Sequence, residues 1–448
     1  MSATSRKRSA QRGVALIMVL ASLTLLTVML AQFQEETSVE FASALSDRDA
    51  LKAEYAARSA INLSRLLIAA EPTIRKKVSF IPNMPQIPVW AFASQVLGAF
   101  NDSEGAEAFQ ALASVDIAEG KNLGLPDASF HVQIVDEDSK INVNGPSRDD
   151  VASKILLAAE LLGLISGPQY DEYFDGIDSD GQHTDRRDVC SAFVDWVDSD
   201  QDQFTCEPGT AQFSAAAAED SHYQMLKDPY PRKNAAFDSI EELRMVRGVN
   251  DAFWSTFVEP DPDDLVSRTL TVWGSGKINV NTANAQTLLA VVCGGGTGPV
   301  CDGGEQTGLF MGALAMMKAV MPGIPVFASE RAFVRTMEGK GTFAIIFEQL
   351  GVQPIKFNSK SQAEKAITVK SQVFSIVADG VVKSGGRETH TKIHAVVDFN
   401  GAPPLIQRPP PGPQSNAATA QLDAVIDLLQ TKSILENPGG RIVYYRVN

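Results

Sequence analysis

Cysteine is scarce in this chain, four in 448 residues, and no two stand as C-x-x-C. That leaves zinc a weak alternative to disulfides. Positive charge is short too. Thirty-nine Lys and Arg face 54 Asp and Glu, a formal charge of −15, which disfavours a generic nucleic-acid binder because phosphate binding rests on Lys and Arg. Long apolar runs are missing after the first, so a polytopic membrane protein is excluded. Enzyme signatures are missing as well. Gly339-Lys-Gly-Thr342 fails the phosphate-loop pattern, and Gly294-Gly-Gly-Thr-Gly298 lies between two cysteines rather than between a strand and a helix. There is no nucleophile elbow and no HExxH. His390 and His394 fit one strand face and read as core or edge histidines. We expect no enzyme.

Gly and Pro are absent from Val14 through Glu71, and there the positive content begins. Val14–Phe33 holds twenty residues without a charge, about 30 Å of helix, the thickness of a bilayer core. The head before it carries Arg6, Lys7, Arg8 and Arg12 and no acid, so it should stay cytoplasmic and send the body outward. Apolar residues continue at helical spacing through Phe41, Leu45, Tyr55, Leu63, Leu66 and Leu67. A membrane helix emerging as a stalk fits this better than a secretory signal, whose apolar region is shorter. A short basic head ending in Gly13 against the apolar run resembles a type IV prepilin leader. The resemblance implies cleavage between Gly13 and Val14 by prepilin peptidase. Such subunits usually carry Glu at the fifth mature position, where this chain has Met18.

In the body, Phe130–Val135 alternates like a strand, and Lys-Ile-Asn-Val-Asn occurs twice, at 140–144 and 277–281. Each copy leads from an extended segment into turn residues and a helical pattern. The two mark similar strand-to-helix corners in which Asn side chains cap freed backbone groups. Helical spacing is expected over 151–165, 189–197, 240–257 with Ser239 as cap, and 305–350 with breaks. Antiparallel strands are expected at 367–369, 373–377 and 392–399, with a turn at Lys383-Ser-Gly-Gly, and a last strand at 441–447. A helix is expected near 417–429, after a stiff Pro-rich linker at 408–413. The fold class read from this is α+β: a long N-terminal helix on a small antiparallel sheet, with a large all-α insertion. The divisions expected are a leader 1–13, a membrane helix 14–33, a first sheet-domain part 34–144, the insertion 145–365 and a second part 366–448.

The densest signal is acidic. Residues 171–202 hold ten Asp and one Glu against two Arg. Asp198, Asp200 and Asp202 alternate like the start of a hard-cation loop, though no EF-hand follows. Asp175, Asp178 and Asp180 form a looser second cluster. Crowded carboxylates need a counter-charge, and calcium is the expected cofactor. Cys190 with Cys206, and Cys293 with Cys301, enclose 16- and 8-residue loops that fit local disulfides of an oxidising compartment. Fragments at 278–284 and 241–249 resemble parts of helix-hairpin-helix DNA-binding modules. Their acidic surroundings favour helix packing, and no nucleic-acid partner is expected.

Ordered along the chain stand Asp136-Glu and Lys140–Asn144, Val194-Asp-Trp-Val-Asp-Ser-Asp200, Ala218-Glu-Asp-Ser-His-Tyr223, Asn234 with Phe237–Gly248, and Gly276–Ala283. With the leader and helix, this series resembles protein K of the type II secretion system. The resemblance implies a pilin-like domain with an inserted calcium-binding α-domain, calcium held by Asp198, Asp200, Asp202 and Glu219, and an inner-membrane anchor with the body in the periplasm. It further implies a place at the pseudopilus tip with minor pseudopilins I and J, priming assembly, with exoproteins as further candidate partners. A minor pilin of a type IV pilus is the alternative, and a DNA-binding protein is the alternative of another class.

Overall fold

The structure, a computed structural model, describes residues 5–78, 88–101, 125, 127–148, 150–174, 183–207, 213–218, 220–320, 323–341, 343–403 and 439–448. With no Gly or Pro to interrupt it, the first segment forms one 74-residue helix, α1 (Ser5–Val78). It outruns the expected stretch at both ends and accommodates Pro72 near its end. Residues 13–44 are exposed throughout, and from Asp49 onward one face is covered. α1 is long and apolar enough to cross a bilayer.

The covered half of α1 lies on a four-stranded antiparallel sheet of β1 (Ala128–Asp136), β2 (Val373–Ser384), β3 (Arg387–Asp398) and β4 (Arg441–Val447), in that spatial order. β2 and β3 are joined at Gly385 and Gly386, whose φ values of +56° and +79° suit a tight hairpin turn that a Cβ would strain. The helix meets the sheet through small residues, Ala53, Ala56, Ala57 and Ala60, all buried. Gly380 on β2 is where the backbones come closest: a Cβ there would stand 1.9 Å from the Ala53 carbonyl oxygen. The fold class is therefore α+β, a long helix on a small antiparallel sheet beside a mainly helical body.

That body has its own core, running from Ile141 to Ile367 and including Trp196, Phe193, Phe204, Phe253, Phe257 and Phe310. A separate core joins Ala57, Ile61, Ile68, Trp90, Phe130, Phe374 and Ile393 under α1. The helical body is built around the repeated pentapeptide. Ile141–Asn142 pairs parallel with Leu270–Thr271, and Ile278–Asn279 pairs parallel with Ile367–Thr368. In each copy the first Asn turns its Oδ1 onto the amide two residues on, Asn142 to Asn144 and Asn279 to Asn281. The second Asn then grips one distant backbone unit at both ends. Asn144 holds the N–H and C=O of Phe237, and Asn281 holds those of Phe327. A helix follows each corner: α2 (Val151–Ile165), capped by Asp150, and α3 (Ala285–Gly295), capped by Asn284. The two helices cross reciprocally. A Cβ on Gly163 of α2 would stand 2.3 Å from the Ala290 carbonyl oxygen, and one on Gly294 of α3 would stand 2.4 Å from that of Ala159. The body is thus one strand–helix unit used twice, packed about a glycine-to-glycine crossing.

Two expectations need correction. Ile367–Thr368 is no part of the antiparallel sheet; it is the parallel partner that closes the second corner. Residues 240–257 are not one helix. A 3-10 turn, Ile240–Met245, ends before Gly248, whose φ of +81° breaks the spiral, and Ser239 makes no side-chain cap. A second short helical stretch then runs from Asp251 to Val258. The expected Pro-rich linker at 408–413 and helix near 417–429 lie outside the described residues.

Candidate functional site

The acidic loop leaves the end of another helix of the body, α4 (Arg186–Val197), which starts with a reciprocal capping box between Asp185 and Asp188. Asp195, on its last turn, accepts the Phe204 amide at 2.9 Å. Arg232 donates to the Asp195 carbonyl and pairs with Asp220 at 2.8 Å, a cation where a helix C-terminus favours one. A disulfide, Cys190–Cys206, ties the helix to the far side of the loop, and a second, Cys293–Cys301, closes the turn after α3. Both expected pairings are formed.

The counter-charge that the carboxylates need is present within the chain. Lys154, on the first turns of α2, is 3% exposed and places its Nζ 2.8 Å from Asp198 Oδ2 and 2.7 Å from Asp200 Oδ2. The Asp200 contact is a hydrogen bond. The Asp198 contact is an ion pair, and Asp198, fully buried, has no hydrogen bond beyond it at either oxygen. Burial pushes the Asp198 carboxyl above the usual aspartate value in spite of Lys154. Burial also acts on Asp200, but there Lys154 and the Asp202 amide outweigh it and hold the group below its usual value. Burial opposes the Lys154 ammonium, yet the two aspartates raise it. Asp195 is pushed up to about 8, chiefly by burial.

Of the expected calcium ligands, Asp198 and Asp200 thus converge on one cationic point and Asp202 does not. The Asp202 side chain is exposed, and it is its amide that reaches Asp200 Oδ1, at 2.9 Å. Glu219, Asp175, Asp178 and Asp180 lie outside the described residues, among which no group of three or more metal-type side chains gathers. The donor chemistry nonetheless suits a hard cation: two carboxylates aimed at one position, one of them buried with no hydrogen bond beyond its ion pair. The Lys154 ammonium stands where such a cation would sit. Lys154 and Arg232 escaped the sequence reading. The available signal was a lone Lys on an otherwise Ala/Leu-rich helix.

A second carboxylate group joins the two cores. Asp136 ends β1, and its Oδ2 accepts from Asn279 (3.1 Å), Thr282 (2.6 Å) and Ser371 (2.5 Å). Asp138 accepts the amides of Ser275, Gln372 and Val373. Glu137 and Lys140 form a buried ion pair at 2.7 Å. Burial and the neighbouring Asp138 push Asp136 up to about 7, against those hydrogen bonds. These residues read as a strand end in the sequence; the fold makes them the bolt between sheet and helical body.

The remaining motifs are absorbed by packing. A Cβ on Gly248 would stand 2.5 Å from Val189 Cγ2, so that turn faces protein. Arg247 reaches Thr184, Asp188 and the His183 carbonyl, and Arg244 pairs with Asp251 over the Trp254 ring. His390 faces Asp379, while His394 is half-buried against Ser375, Trp273 and Tyr444. At the other end, Gly13 and Val14 lie within α1, and Met18 is 66% exposed.

Residues 169–257 match the family described as type II secretion system (T2SS), protein K. A curated relative, type II secretion system protein K of Pectobacterium carotovorum subsp. carotovorum, is 25% identical over 391 residues, 86% of this chain and 92% of its own. A chain from the crystal structure of the GspK-GspI-GspJ complex of enterotoxigenic Escherichia coli covers 73% of this chain and 82% of its own, at 14% identity and a TM-score of 0.40. The family match over residues 169–257 and the curated relative agree with the motif series in pointing to similarity with protein K of the type II secretion system.

Proposed function

We propose that this chain is the minor pseudopilin that caps the tip of a periplasmic pseudopilus, with pseudopilins I and J beside it, priming assembly and supporting export of folded exoproteins. One observation carries the reading. α1 is exposed from residue 13 to 44, with Val14–Phe33 uncharged, and its later half is packed on a pilin-like sheet, so a single helix serves as inner-membrane anchor and subunit spine. Prepilin peptidase is the proposed processing partner at Gly13–Val14. The fold gives no packing reason for glycine at 13: a Cβ there meets nothing within 4 Å, although glycine inside a helix costs about 1 kcal/mol against alanine.

The tip position follows from charge. A free amino group at Val14, buried among apolar helices, needs a carboxylate beside it. Met18 offers none, so the chain is unsuited to joining beneath an existing subunit by that pairing. The doubled helical body also widens the head beyond an ordinary filament lattice. Calcium is the proposed cofactor, held by Asp198 and Asp200, with Asp202 and Glu219 as the remaining candidates. Gold labelling of the periplasmic body on purified pseudopili tests the tip position. One label at the distal end is expected; regular labelling along the shaft refutes it.

A further inference from the structure

We infer that Lys154 is a tethered counter-ion that competes with calcium for the acidic loop, so that the loop is already organised without metal. The inference rests on the calcium reading above and concerns how that site is regulated. Nζ of Lys154 lies within 2.8 Å of one oxygen from each of Asp198 and Asp200, and a hard cation held by those two oxygens would occupy the same point. Two cations cannot share it, because their repulsion in a partly buried site is several times its value in water. One ammonium also leaves the group short of charge. It meets two carboxylates, and Asp198 has no hydrogen bond beyond that ion pair at either oxygen. The site is therefore held together by Lys154 but not satisfied by it.

Release of the ammonium is sterically simple. Lys154 sits on the first turns of α2, next to Val151 and Ala152, which are exposed, so its four-carbon stem can swing the charge to solvent. The Cys190–Cys206 disulfide and the Arg232 contact hold the loop in place while it does so. Calcium then enters by exchange for a tethered cation, at an affinity reduced by the cost of displacing it.

The test uses the full chain in detergent as wild type, Lys154→Met and Lys154→Arg, with calcium binding by titration calorimetry and melting in chelator as readouts. The Met variant removes the competitor at similar volume. It should bind calcium at least tenfold more tightly, about 1.4 kcal/mol, and melt lower than wild type in chelator but not in saturating calcium. The Arg variant keeps the charge and should stay within threefold of wild type. Equal affinity in wild type and Lys154→Met, or weaker binding by the latter, overturns the inference while leaving the calcium site standing. No calcium binding by any of the three removes the calcium reading, and the inference with it. A Met variant that fails to fold in chelator but folds and binds tightly in calcium supports the tethered role.

Discussion

Glu160 offers the sharpest test of the electrostatic reasoning. It lies on α2 inside the helical body, is 5% exposed, and its Oε1 has no hydrogen-bond partner. Burial alone pushes its carboxyl from 4.5 up to about 8. In the folded protein it therefore holds its proton at pH 7, whereas in the unfolded chain it has lost it. Between those values the folded state binds more protons than the unfolded one, so stability falls as pH rises from about 4.5 to about 8. With these two values the loss attributable to Glu160 is about 1 kcal/mol at pH 5 and about 3 kcal/mol at pH 7, an increase of about 2 kcal/mol. Glu160→Met keeps the length and removes the titration. Urea unfolding of the protein, followed by tryptophan fluorescence, should show the variant's advantage over wild type growing by about 2 kcal/mol between pH 5 and 7. Other titrating groups largely cancel in that difference. A variant-minus-wild-type gap that stays constant with pH would mean that Glu160 is ionised and compensated in the fold, and the argument would be wrong.

Two further outcomes follow. Gly380→Ala drives a Cβ to 1.9 Å from the Ala53 carbonyl oxygen, a backbone atom that cannot rotate away; lifting α1 off the sheet should cost about 1–3 kcal/mol. Calorimetry should show the transition of the sheet domain lowered and that of the helical body unmoved, and an unchanged sheet-domain transition would contradict the close approach. Gly13→Leu should leave the fold intact, because nothing packs there, but block leader removal in cells that contain prepilin peptidase. Intact-mass analysis reads this directly, and retention of Met1 in the wild type would defeat the pilin-like processing.

Local order was legible in the sequence wherever one residue type dictates one backbone outcome. The run without Gly or Pro from Val14 to Glu71 could hardly be other than helix, and twenty uncharged residues within it mark a membrane segment. The pair Gly385-Gly386 announced its hairpin, the cysteine spacings announced their bridges, and the repeated pentapeptide announced two equal corners. What the sequence could not supply was the identity of partners far apart in the chain. The acidic loop demanded a counter-charge, but only folding chose Lys154, 44 residues before Asp198, because two helices happen to cross there. The same holds for Asp136, whose Oδ2 takes its hydrogen bonds from donors 143 to 235 residues away. Ile367–Thr368 looked like any β-branched strand until pairing decided its sheet. Backbone propensity acts over a few residues and is written in their side chains. Charge neutralisation and strand pairing act through space, so they are settled only when the whole chain has closed upon itself.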